Sequence, residues 1–217
     1  MYLKWWSALV ALALRKRALG AVVRQFGEPR GVGGRVAGWI MGRRASNVAR
    51  SRWAIDLLDL QPTDRLLEVG CGPGFALEAA AAQASAVVGV DRSAVMIAQA
   101  RRRNRAAVGE GRVTLHVAPI EALAALGEPF DKALAVNTVG FWADAVEGLG
   151  TIRQALRPGG NIAVVSQPRC PGATAVHSRK AADELEKLLD KAGYVDARTE
   201  SLDALDPPAV CVLARAP

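Results

Sequence analysis

The stretch LLEVGCGPGFALE, residues 66–78, concentrates the residue types of this chain that could do chemistry. An apolar run bearing Glu68 gives way to Gly70, Gly72 and Gly74 at alternate positions, with Cys71 after the first, and then to a helical pattern. Glycines at a strand-to-helix turn permit positive φ and let the backbone approach a ligand, while the helix start offers free N–H groups. The turn alone does not choose the ligand, because nicotinamide, flavin and other nucleotide binders share it. Asp91 narrows the choice. It closes the next apolar run, VVGVD, seventeen residues after Gly74, where a carboxylate can accept both hydroxyls of a ribose. The competing role for Asp91 is to cap a helix starting near Ser93, although Ser93 can cap that helix itself.

Groups able to move a proton are few. His116 falls inside a strand pattern, where an imidazole packs in or beside a sheet. His177 follows the loop CPGATAVH and is the candidate catalytic base at a strand's carboxyl edge; a solvent-facing histidine at a helix start is the competing reading. Cys71, Cys170 and Cys211 are too scattered for a disulfide framework, and none has a Cys or His partner at zinc spacing. No metal is expected, and the compartment reads as reducing.

These residues need a scaffold to position them. From Arg65 onward, RLLEV, AVVGV, VTLHVA, KALAVNTV and NIAVVS are nearly continuous apolar runs of strand length, as in a parallel sheet buried on both faces. Helices are predicted between them near 75–84, 93–107, 120–126 and 144–157, giving an α/β, doubly wound, Rossmann-like sheet with ligands at the carboxyl ends of its strands. The tail reads as helix 178–192, strand 194–202, the break Asp206-Pro207-Pro208 and strand 209–215. So short a connection suits a hairpin, and the last strand is expected to run antiparallel. Another helix is predicted from Ala45 to Leu60, stopping before Pro62.

Ahead of this body the composition shifts. The whole chain carries a net charge of +7, yet residues 1–53 hold eleven Lys or Arg against Glu28 alone, and residues 54–217 hold seventeen basic and twenty acidic groups. Two parts are expected: a basic N-terminal helical appendage, 1–53, and a body, 54–217. The apolar stretch Trp5–Leu14 is about half of the roughly 20 residues that span a bilayer, and Arg15, Lys16 and Arg17 follow it where a secretory signal would place its cleavage site. A cytoplasmic protein is expected. The first helix docks on the body as a lid, pairs with another subunit, or lies in a membrane interface, which would make the protein peripheral to the inner face of the membrane. Between helix and body, Gly27, Gly31, Gly33, Gly34, Gly38 and Gly42 suit a hinge. With 51% apolar and 23% charged residues the chain is globular rather than disordered. Its excess charge is not read as a nucleic-acid footprint, because the body is acidic and no basic strand interleaved with aromatics appears.

In combination, Glu68 ahead of GCGPG, Asp91 closing VVGVD, the strand FDKALAVNTV and LRPGG at Leu156–Gly160 resemble the class I S-adenosylmethionine-dependent methyltransferases over roughly residues 60–217. The resemblance implies a seven-stranded sheet with an antiparallel last strand, and S-adenosyl-L-methionine as cofactor. It implies that Gly70, Cys71, Gly72 and Gly74 line the methionine and ribose, that Glu68 supports the methionine ammonium directly or through water, and that Asp91 holds the ribose hydroxyls. Arg92 and Ser93 would flank the adenine, and Asn137 would turn its backbone carbonyl toward the ammonium and the transferable methyl. The family often places an acid beside the adenine just after the third strand, where this chain reads Ala118-Pro119-Ile120-Glu121. The Ile120 backbone N–H or Glu121 would serve there instead.

The acceptor site is expected where loops overhang the strand ends: Gly140, Phe141 and Trp142, the loop 167–177, and Trp39 and Met41 of the appendage. Phe141 and Trp142 either wall an apolar acceptor pocket or pack a helix onto the sheet. The implied acceptor is a small lipophilic molecule, or a lipid-like one met at a membrane surface. A nicotinamide oxidoreductase fits less well, since the glycines lack the G-x-G-x-x-G register and no Tyr-x-x-x-Lys pair exists. A non-catalytic module binding an adenosyl ligand is the third reading, because fold alone never proves activity.

Overall fold

The computed structural model describes residues 45–170 and 172–217. The predicted N-terminal helix and lid, the glycine-rich hinge, and Trp39 and Met41 lie outside the described residues.

Seven strands form one sheet: β1 (Arg65–Val69), β2 (Ala86–Asp91), β3 (Val113–Val117), β4 (Phe130–Val136), β5 (Leu156–Ser166), β6 (Val195–Leu202) and β7 (Ala209–Arg215). Their order is β3-β2-β1-β4-β5-β7-β6, with β7 antiparallel to both of its neighbours. The first five run parallel, as their apolar character predicts. The helices are α1 (Ala45–Leu58), α2 (Phe75–Ala80), α3 (Ala94–Arg103), α4 (Arg105–Gly109), α5 (Ala145–Ala155) and α6 (Ala175–Lys191), with 3-10 turns at Ile120–Leu126 and Val139–Phe141.

The strand period of two sends alternate residues into two cores. Leu67, Val69, Ala133, Ala135, Ile162 and Val164 pack with Leu149 and Ile152 of α5 and Leu185 and Leu189 of α6. Leu66, Leu134, Ala163 and Val165 pack with Ile55 and Leu58 of α1, Leu77 of α2 and Ile97 and Ala100 of α3. Strand order reverses at β1, which pairs with β2 on one side and β4 on the other. The crevice beyond the carboxyl end of that switch point is where ligands of open α/β sheets bind.

Several expectations need correction. The helix expected from Ala45 to Leu60 ends at Leu58, and its Asn47, Arg50 and Ser51 are buried. The single helix expected over 93–107 is two, because the Asn104 side chain donates to the carbonyls of Gly74 at 3.0 Å and Ala100 at 2.9 Å and stops α3. LRPGG opens β5 instead of preceding it: Leu156 pairs with Phe130, the register then slips, and Arg157 bridges to Asp131 at 2.6 Å. The segment 120–126 coils as 3-10 rather than α-helix. Finally, α6 starts at Ala175, three residues before the expected start, on a capping box between Thr174 and His177.

Candidate cofactor and acceptor site

A cavity of about 650 Å³ opens over the carboxyl ends of β1, β2 and β4, floored by the glycine turn. The turn closes on β2, whose Val90 carbonyl accepts from the N–H groups of Gly70 at 2.8 Å and Cys71 at 3.0 Å. Two of its glycines are required by what surrounds them. At Gly70, φ is +71° and a Cβ would strike the Thr138 side chain; at Gly74, φ is +79° and a Cβ would lie 2.6 Å from Asn104 Nδ2 and 2.9 Å from Ala100 Cβ. Gly72 differs, facing open space toward the cavity.

Asp91 sits at the lip. Its Oδ2 accepts from the Gly72 N–H at 2.9 Å and its Oδ1 from the Ser93 N–H at 2.8 Å. Each oxygen keeps a further lone pair for a hydroxyl donor. Burial raises its pKa, opposed by those two N–H bonds and by Arg92. The capping role belongs to Ser93, whose hydroxyl accepts from the Met96 N–H at 3.4 Å.

Glu68 lies at the cavity's inner wall, 4% exposed. Its Oε2 has no hydrogen-bond partner among the described residues. Burial first, and the Asp91 charge second, push its pKa up to about 8. A buried carboxyl held above neutrality with an unused oxygen is an unmet demand for a cationic donor. Cys71 is buried beside both acids, and burial drives its thiol well above the ordinary range, so it is no nucleophile.

Asn137 ends β4 at φ +52°, a left-handed conformation Asn tolerates. Its Oδ1 accepts from the Gln167 N–H at 2.7 Å and its own N–H donates to the Val165 carbonyl at 2.8 Å, pinning the ends of β4 and β5 together. Arg92, Ile120, Glu121, Phe141 and Trp142 all line the cavity. Phe141 is 52% exposed, whereas Trp142 is half-buried, its ring beside Gly148. His177 does not line the cavity: it is exposed, and its Nδ1 lies 3.2 Å from the Thr174 N–H that it caps. His116 is half-buried within β3.

Four further side chains, separated by more than a hundred positions, form a cluster that no sequence motif announces. Gln167 Oε1 accepts from Arg50 Nη1 at 2.6 Å and from Arg169 Nη2 at 2.9 Å. Asn47 Oδ1 accepts from Arg50 Nη2 at 3.1 Å and from the same Arg169 Nη2 at 2.8 Å. Asn47, Arg50 and Arg169 line the cavity. The visible signals are the i,i+3 spacing of Asn47 and Arg50 on a helix and the i,i+2 spacing of Gln167 and Arg169 beyond a strand.

Residues 66–160 match a family model described as a methyltransferase domain. The chain is 30% identical to the uncharacterized methyltransferase YdaC of Bacillus subtilis (strain 168), over 84% of this chain and 98% of that protein. The chain belongs to the class I S-adenosylmethionine-dependent methyltransferases. S-adenosylmethionine is accordingly the cofactor, and the nicotinamide reading gives way. This methyltransferase is also 31% identical to the ubiquinone/menaquinone biosynthesis C-methyltransferase UbiE of Geotalea daltonii (strain DSM 22248 / JCM 15807 / FRC-32), over 54% of this chain but about half, 52%, of that protein's length. The N-methyltransferase NodS from Bradyrhizobium japonicum WM9, solved with S-adenosyl-l-homocysteine, superposes with a TM-score of 0.63 at 17% identity, over 82% of this chain and 91% of that one. That last likeness shows the shared fold. Among the described residues no helix is long and apolar enough to cross a membrane.

Proposed function

We propose that this methyltransferase holds S-adenosylmethionine between Asp91 and Glu68 and passes its methyl to a small acceptor with an apolar body. The single observation that carries the reading is Glu68, a buried carboxyl with one unused oxygen on the wall of the cavity whose floor is the glycine turn. That oxygen suits the methionine ammonium, and Asp91, with a free lone pair on each oxygen, suits the two ribose hydroxyls. Gly72 leaves room for the ligand beside its backbone. Ile120 and Pro119 offer apolar contact to the adenine, with Arg92 near it, and Asn137 borders the methionine.

The cofactor supplies a methyl on a cationic sulfur that leaves readily, so the chain's task is to align, to exclude water and to settle charge. Among the described residues the cavity lining contains neither histidine, lysine nor tyrosine. No base is assigned, and His177 keeps its capping role. Phe141 and Val136 give the acceptor an apolar wall. UbiE, named for quinone biosynthesis, supports a lipophilic acceptor of that general kind, and the basic N-terminal segment supports its capture at a membrane surface.

Titration calorimetry with S-adenosylhomocysteine and with NADH tests the cofactor site. Binding of the first alone is expected, with Asp91→Ala weakening it by about a hundredfold or more, the worth of two hydrogen bonds to a charged group. Unchanged affinity in that variant would overturn the assignment of the ribose. A mass-shift screen for addition of one methyl then identifies the acceptor.

A further inference from the structure

The proposed reading leaves Arg50 and Arg169 without a task. The two guanidinium groups donate to the same two amide oxygens, those of Gln167 and Asn47, at 2.6–3.1 Å. Like charges are thus drawn to one place at the cavity edge, and the side-chain acceptors that Arg50 meets there are neutral amides. Arg50 is 6% exposed and its Nε has no hydrogen-bond partner among the described residues. Burying a cation is costly unless an anion meets it. The local cost is visible in Arg50 itself, whose pKa burial and the neighbouring Arg169 lower to about 10. Planar guanidiniums in such a pair match an oxyanion in two-pronged fashion.

Charge across the cavity says which molecule brings that anion. Among the described residues the lining has three cations, Arg50, Arg92 and Arg169, and three carboxyl groups, Glu68, Asp91 and Glu121. S-adenosylmethionine, with one carboxylate against an ammonium and a sulfonium, adds one net positive charge. Its carboxylate therefore leaves a positive excess among these described groups, whichever arginine it meets. A monoanionic acceptor offsets it. Among the described residues the lining has no histidine, lysine or tyrosine, which agrees with an acceptor whose methylated oxygen arrives already ionised and needs no base to make it so.

We propose that the Arg50–Arg169 pair is an anion-binding site and that its ligand is a negatively charged oxygen group of the methyl acceptor, a carboxylate or an ionised acidic hydroxyl on an otherwise apolar body. The inference rests on the cavity being the cofactor and acceptor site. Arg50 forms the buried floor of the clamp and Arg169, exposed at the mouth, its entry side.

The test uses the full chain saturated with S-adenosylhomocysteine. It is titrated with benzoate, phenylacetate, cinnamate, octanoate and 4-nitrophenolate, each beside its neutral partner, the amide or, for the phenol, 4-nitroanisole. At least one anion is expected to bind at least about tenfold tighter than its neutral partner, and Arg169→Gln is expected to remove that preference while S-adenosylhomocysteine affinity stays within about twofold. Arg169→Lys keeps the charge without the fork and is expected to fall between the two. Because Arg169 is exposed, neither substitution disturbs the core. The proposal is overturned if the neutral partners bind as well as the anions, if no anion in the set binds, or if Arg169→Gln leaves anion binding intact. It is also overturned if that variant loses S-adenosylhomocysteine instead, since the pair would then serve the cofactor's carboxylate. Anion binding through Arg169 in a chain that does not bind S-adenosylhomocysteine would sink the cofactor assignment and leave the clamp standing.

Discussion

Glu68 shows how one side chain sets stability against function. Its pKa is about 8 in the folded protein and 4.5 in an ordinary solvated glutamate, so between those values the native state holds a proton that the unfolded state has released. Stability therefore falls as pH rises from 4.5 to about 8 and levels off beyond, a loss on the order of a few kcal/mol. Glu68→Gln removes the titration. The variant is expected to melt higher than the parent at pH 8 and to match it below pH 4.5, while binding S-adenosylhomocysteine at least about tenfold more weakly. Equal melting temperatures at the upper pH would show that the carboxyl is not desolvated. In the parent at neutral pH, cofactor binding is expected to release about one proton as an ammonium replaces it, read by calorimetry in buffers of different ionisation heat. The places of Glu68 and Asp91 at the cavity were legible in the sequence because one stands next to last in β1, just before the glycine turn, and the other ends β2. Arg50 and Arg169 were not, because they converge only after β1, β4 and β5 have paired, and a single chain records no such proximity.

The strands were legible for the physical reason that a sheet buried on both faces demands unbroken apolar runs. What the sequence concealed lies at the ends of elements, where a single side chain decides. Asn104 splits a periodic helical pattern by taking the Ala100 carbonyl, and the Thr174–His177 box moves the start of α6 by a turn. Asp144 gives the cleanest test of such control. As N-cap of α5 its Oδ1 accepts from the N–H groups of Val146 at 2.8 Å and Glu147 at 3.0 Å. Asp144→Ala is expected to cost about 1 kcal/mol in chemical denaturation and to leave S-adenosylhomocysteine affinity unchanged, because the side chain is exposed and outside the cavity lining. Gly74→Ala belongs to the same scale with the opposite reach. A methyl there meets Asn104 and Ala100 at positive φ, so both stability and cofactor affinity are expected to fall, the former by about 1–3 kcal/mol. A Gly74→Ala protein with parental affinity would mean that the turn is positioned by β1 and β2 alone.

For the whole molecule the telling property is where charge resides. Residues 1–44 carry nine basic side chains against Glu28, while residues 45–217 are close to neutral. α1 draws Arg50 into the cavity edge, and the excess of positive charge that could meet a surface lies in residues 1–44. Five of the nine cations, Lys4, Arg15, Lys16, Arg17 and Arg24, flank or follow the Trp-bearing apolar stretch. Each is worth about 1 kcal/mol near an anionic bilayer, and the tryptophans add apolar contact at headgroup depth. The full chain is accordingly expected to float with vesicles containing phosphatidylglycerol and to remain unbound with phosphatidylcholine alone, and raising the salt is expected to release it. A chain lacking residues 1–25 is expected to stay in the unbound fraction with either lipid, yet to bind S-adenosylhomocysteine like the parent, since all the residues assigned to the cofactor begin at Glu68. If both chains stay unbound, the acceptor reaches the cavity from solution and the basic segment serves some other partner; if both float, the membrane contact lies on the body and the charge argument fails.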